Sequence, residues 1–82
     1  MKDFKASNLV RVMRKSARLS VAEVAIGLGR SPTYFNNKLF RNSWKPQELF
    51  ALADICHCDL IYADGYLEVF NSDGMKVETF RL

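Results

Sequence analysis

Histidine occurs once in the chain, as His57, and that scarcity excludes most catalytic constellations. A Ser-His-Asp arrangement would have to use His57, whose neighbours Cys56 and Cys58 supply neither a nucleophile elbow nor an activating base. No Gly-rich phosphate loop of the Walker type and no Rossmann fingerprint is present, so enzymatic activity is not expected. Cys56, His57 and Cys58 are the one cluster of zinc-preferring ligands. Three fall short of the four that a structural zinc site takes, and no second cluster completes them. The cysteines read instead as core residues, Cys56 closing a helix and Cys58 leading into a strand, and their i, i+2 spacing does not suit a disulfide. No metal, cofactor or small-molecule ligand is expected. Long apolar runs are missing too: none approaches the roughly 20 residues that span a bilayer. The start, Met1-Lys2-Asp3-Phe4-Lys5, carries a charge on either side of Phe4 and no apolar stretch after it, so the expectation is an uncleaved cytoplasmic protein with no membrane partner.

Acidic residues are scarce in the first 45 positions. There, ten lysines and arginines face only Asp3 and Glu23, a balance of +8, whereas residues 46 to 82 set Lys76 and Arg81 against seven carboxylates, a balance of −5. Such a separation is the electrostatic footprint of a phosphate-backbone partner, and the acidic remainder opposes indiscriminate wrapping. One face is expected to bind and the other not. With 82 residues, 49% of them hydrophobic, the chain reads as a single domain over 1–82. A chain this short has little stability to spare, which favours support from a second subunit.

Periodicity predicts four helices between about residues 3 and 56. From Ser7, the apolar positions Leu9, Val10, Val12, Met13 and Ala17 recur near helical spacing, with Arg11, Arg14, Lys15 and Arg18 opposite them. Ser20 and Glu23 form a capping-box pair for a short helix from Val21 to Leu28, stopped by Gly29 in a left-handed conformation. Ser31 as N-cap and Pro32 as first residue restart the chain in a third helix to about Phe40. Its inner stripe is Phe35 and Leu39, so Thr33, Asn36 and Asn37 belong to another face, and Trp44 is expected to pack under the following loop. Pro46 opens a fourth helix with Leu49, Leu52, Ala53 and Cys56 inward. Beyond Cys58 the period becomes alternating. Leu60 to Ala63, Tyr66 to Phe70 and Lys76 to Leu82 predict a three-stranded antiparallel β-meander over about 59–82, turned at Asp64-Gly65 and at Asn71-Ser72-Asp73-Gly74. The expected fold class is mainly α with a small β part.

Helix, tight glycine turn, second helix over Val21 to Phe40 are the parts of a helix-turn-helix. Ser20-Val-Ala-Glu-Val-Ala-Ile-Gly-Leu-Gly-Arg-Ser-Pro-Thr-Tyr-Phe-Asn-Asn-Lys-Leu resembles the XRE-like family, the phage Cro and CI repressor type, with Ala25 four residues before Gly29, aliphatic Val24 and Leu28, and inward Phe35. Leu49-Phe-Ala-Leu-Ala-Asp-Ile-Cys resembles the family's next helix, so the resemblance covers about residues 7 to 60. The chain departs from the pattern at Arg30 and Lys38, where apolar residues are usual, with Leu39 in place of the latter. The resemblance implies a four-helix Cro/CI-like bundle whose third helix enters the DNA major groove. By motif position it implies that Pro32, Thr33, Asn36 and Asn37 read bases, which suits asparagine's bidentate pairing with adenine and the threonine methyl's contact with thymine. Arg30, Ser31, Lys38, Arg41 and Lys45 surround that helix as candidate phosphate contacts, with Arg14 and Arg18 extending the footprint.

The strands carry apolar residues on both faces, and Tyr62, Tyr66, Phe70, Phe80 and Leu82 are candidates for a homodimer interface, either as a patch or through the free edge of the terminal strand. The function expected is sequence-specific binding of double-stranded DNA by a small, dimeric, repressor-like transcriptional regulator. The alternative is a helix-turn-helix body used as a protein-interaction module, antitoxin-like or phage-encoded, whose apolar sheet meets another protein.

Overall fold

Eight elements build the fold, and a computed structural model describes all 82 residues: β1 (Lys2–Asp3), α1 (Ala6–Ser16), α2 (Val21–Gly27), α3 (Pro32–Arg41), α4 (Pro46–Ile55), β2 (Asp59–Ala63), β3 (Tyr66–Phe70) and β4 (Lys76–Arg81). The protein is thus mainly helical with a small β part, as the periodicity predicts. The local signals act as expected at the helix ends. The Ser20 hydroxyl accepts from the Glu23 N–H at 3.1 Å while the Glu23 carboxylate accepts from the Ser20 N–H at 3.0 Å. Ser31 accepts from the Tyr34 N–H at 3.1 Å, with Pro32 at the first position of α3. Between these helices Gly29 has φ of +72°, the left-handed conformation that ends α2 and turns the chain.

The sheet differs from the expected meander. It has four strands in the order β1-β4-β3-β2, antiparallel except where β1 runs parallel to β4, with Lys2 beside Phe80 and Asp3 beside Arg81. α1 accordingly starts at Ala6, not near residue 3. β1 is held by the Phe4 N–H donating to the Arg81 carbonyl at 2.9 Å and by two ion pairs, Lys2 with Glu78 at 3.3 Å and Asp3 with Arg81 at 2.9 Å. Two residues are too short to show any periodicity, which is why sequence pattern missed this strand. Over Phe80 and Arg81 the edge of β4 is therefore occupied, not free.

One core joins helices to sheet. Leu9, Val10 and Met13 from α1, Val24 and Ala25 from α2, Phe35 from α3, Leu52 and Ala53 from α4, and Val69 and Phe80 from the sheet are all buried, together with Trp44, Cys56 and Cys58. The cysteines take the core places expected for them, and burial, opposed in part by the nearby Arg14, pushes the Cys56 thiol up to about 11. A Cβ at Gly27 would lie 3.1 Å from Ile55 Cδ1, so glycine there lets α2 close onto α4. No helix is long and apolar enough to cross a membrane.

The one buried polar side chain, Ser7, sits where three elements meet. Its hydroxyl donates to the Leu39 carbonyl at 2.8 Å and accepts from Trp44 Nε1 at 3.0 Å, and its N–H donates to Asn42 Oδ1 at 2.8 Å. Asn42, at φ of +52°, ends α3 while capping α1. Trp44 in turn packs edge-on against Phe35, with ring centroids 5.2 Å apart. The inner stripe of α3 is thereby fixed from below.

Candidate nucleic-acid interface

Phe35 points into the core with no exposed surface, and at about 100° per residue this sets where every other side chain of α3 points. Thr33, Asn37 and Phe40 fall within about 40° of the direction opposite Phe35, with Asn36 and Arg41 on the flanks. All five are exposed, as is Pro32 at the helix start. Thr33, Asn36 and Asn37, at i, i+3 and i+4, therefore share one exposed stripe of a short helix, while Pro32 is exposed at its first position, about 60° from the Phe35 direction. None of their side chains hydrogen-bonds within the protein, so the amides of Asn36 and Asn37 remain available to a ligand.

Tyr34 and Lys38 lie on the side of α3 that faces α4. The Tyr34 hydroxyl donates to Glu48 at 2.9 Å and the Lys38 ammonium donates to the same carboxylate at 3.2 Å, while the Lys45 N–H donates to it at 2.9 Å. Partial burial alone would raise the Glu48 carboxyl, but those three donors together hold it below its ordinary value. Lys38 is shifted up, chiefly by its bond to Glu48. The Arg30 guanidinium lies 4.9 Å from the Tyr34 ring centroid, and Lys38 stacks on the same ring at 5.5 Å. This cluster fixes the rotation of α3 about its axis. The cluster also gives Lys38 a carboxylate partner in Glu48, while the neighbouring Leu39 supplies the apolar contact with the core. Pattern reading missed the cluster because Tyr34, Lys38 and Glu48 belong to two helices, and only the i, i+4 spacing of the first two was visible.

The expected phosphate contacts separate into two groups. Lys38 has a side chain only 16% exposed and is bonded to Ser43 O as well as Glu48, and Arg14 donates to the Leu19 carbonyl at 3.0 Å across the α1–α2 turn. Both hold the scaffold. Arg18, Ser31, Arg41 and Lys45 are exposed around α2 and α3, and Arg30 is exposed over Tyr34. Of the ten cations among residues 1–45, only Lys2 and Lys38 have a carboxylate within 4.0 Å. The positive excess of this half is thus not neutralised inside the protein.

The expected dimer residues do not form one patch. Phe80 is fully buried, paired with Leu67 and 6.0 Å from the Phe4 ring, and it is withdrawn from the exposed surface. β4 alternates ambiguously, with Val77 and Thr79 in one parity and Glu78 and Phe80 in the other; the register with β3 puts Phe80 inside. Tyr66 and Phe70 lie on the outer face of the sheet. Tyr62 and Leu82 lie elsewhere, on the rim of an apolar groove of about 320 Å³ between α4 and the sheet, floored by Leu60 and Leu67 and flanked by Phe4 and Phe50. Tyr62, Phe50 and Leu82 are each more than half exposed.

No protein-family model, no curated protein and no solved structure matches this chain.

Proposed function

We propose that the protein binds double-stranded DNA in a sequence-specific manner, laying the outer side of α3 in the major groove, and acts as a small dimeric, repressor-like regulator of the Cro/CI-like helix-turn-helix kind. The observation that carries this reading is the outer side of α3: Thr33, Asn36 and Asn37 exposed together with unengaged side chains, on a helix whose rotation is fixed by Phe35 and Glu48. The major groove is wide enough for one helix, and asparagine matches the donor and acceptor pattern of adenine. Arg18, Ser31, Arg30, Arg41 and Lys45 would meet phosphates on either side. Two copies would read a pseudo-palindromic site, associating through the groove rimmed by Tyr62 and Leu82. The groove also favours the second reading, a module that binds another protein, since an apolar concavity serves either partner.

Selection of the folded protein on randomised duplex DNA at near-physiological salt tests the proposal, because a Debye length of about 8 Å weakens loose electrostatic attachment. Enrichment of a palindromic motif supports it. A folded protein that enriches nothing contradicts it and transfers the case to the protein-interaction reading.

A further inference from the structure

Phe40 is 89% exposed, the barest large apolar side chain in the protein. It is not scattered at random on the surface. It lies in the last turn of α3, seven residues after Thr33 and three and four after Asn37 and Asn36, so that it continues their stripe along the helix. Thr33 to Phe40 spans about 10.5 Å of helix, close to three base-pair steps of about 3.4 Å. Every other member of the stripe is polar. The edge that base pairs present in the major groove is polar as well, with one exception, the C5 methyl of thymine.

We propose that Phe40 is a further specificity-determining residue, which packs on a thymine methyl at the end of the site read by α3. The inference rests on the DNA-binding reading and names one base of its target. The ring needs no rearrangement to do this, since no other side chain covers it and α3 is held in place by contacts on its opposite side. Partial removal of so exposed a ring from water favours contact with a methyl group, which neither cytosine nor a purine offers.

The test uses the duplex enriched from the randomised pool, with each thymine replaced in turn by uracil. Uracil keeps the base-pairing edge and deletes only the methyl. In each half-site, wild-type protein should lose about fourfold in affinity at the thymine under Phe40, the equivalent of one buried methyl group at about 0.8 kcal/mol, and any loss at a thymine met by the Thr33 methyl should persist in Phe40→Ala. Phe40→Ala should bind the thymine duplex about as weakly as wild type binds the uracil one, with no further loss on uracil, and Phe40→Leu should keep part of the discrimination. At 89% exposure neither substitution removes a core contact, and circular dichroism of both variants checks that the fold is intact. Uracil sensitivity that is absent in the wild type, or unchanged in Phe40→Ala, overturns the assignment of Phe40. If Asn36→Ala and Asn37→Ala still weaken binding to the same duplex, the DNA-binding reading survives that result. Failure to enrich any duplex removes both.

Discussion

The Tyr34 hydroxyl donates to the Glu48 carboxylate at 2.9 Å, joining the third helix to the start of the fourth. Glu48 also accepts from the Lys38 ammonium and the Lys45 N–H, so one carboxylate serves as helix cap and as inter-helix clamp. Glu48→Ala should lower unfolding free energy by about 1–3 kcal/mol, since it leaves a half-buried cation and a hydroxyl without their acceptor, and Tyr34→Phe should cost about 1 kcal/mol. Urea titration measures both. A Glu48→Ala protein as stable as wild type would show that the clamp contributes nothing.

The same carboxylate gives stability a pH dependence. Its pKa in the folded protein lies below the ordinary value of 4.5, so its contribution is complete above about pH 4.5 and declines as pH falls through the lower folded value. Glu48→Gln should therefore flatten the fall in melting temperature below about pH 4.5. At neutral pH the variant should be less stable than wild type, and the two should converge in acid. Parallel curves for wild type and variant would place the acid sensitivity elsewhere, with Glu23 and Glu78 the other lowered carboxyls.

Asn36→Ala and Asn37→Ala should each cost about 1–3 kcal/mol on the enriched duplex and relax its sequence preference at one position. Neither should disturb the fold, because both side chains are exposed. Competition binding against single-base variants of the duplex measures the effect, and wild-type discrimination by both variants would take base reading away from α3.

Arg41 and Lys38 are both basic side chains of α3, yet they should behave differently. Arg41→Ala should reduce the slope of log affinity against log salt by about 0.9, as expected for one lost phosphate contact. Lys38→Ala should leave that slope nearly unchanged and lower stability, because its ammonium is bound to Glu48 and Ser43. Affinity measured across a salt series decides, and a reversed pattern would place Lys38 against the DNA.

Phe80→Ala should cost about 3–5 kcal/mol of stability, the range for a fully buried phenylalanine. Tyr62→Asp should instead leave the monomer's stability within about 0.5 kcal/mol and shift sedimentation equilibrium toward the monomer, because Tyr62 is exposed at the groove. A Tyr62→Asp protein that dimerises as wild type does would move the interface to the outer face of the sheet, to Tyr66 and Phe70.

What the sequence disclosed was local. The Ser20–Glu23 pair, Ser31-Pro32 and Gly29 each act on neighbours within four residues, and they place α2, the turn and the start of α3 without any tertiary information. What stayed hidden depends on residues distant in the chain. β1 exists because Lys2–Asp3 finds β4 nearly eighty residues later, where Glu78 and Arg81 complement its charges. The inward turn of Phe80 follows from its pairing with Leu67, not from its own strand's alternation. Ser7 reads as an ordinary polar start to α1, and only the approach of Leu39, Asn42 and Trp44 gives its burial a reason. Lys38 counts as a surface cation in any charge tally, and only the structure shows its side chain largely covered and paired with Glu48.

Titration of nitrogen-labelled protein with the enriched duplex, followed by nuclear magnetic resonance, tests most directly whether the outer side of α3 is the DNA-binding surface. Binding through α3 predicts the largest shifts at the side-chain amides of Asn36 and Asn37 and at the backbone from Ser31 to Asn37, with the outer sheet residues Tyr66 and Phe70 unmoved. Shifts concentrated at Phe50, Tyr62 and Leu82, with the asparagine amides unmoved, would contradict it.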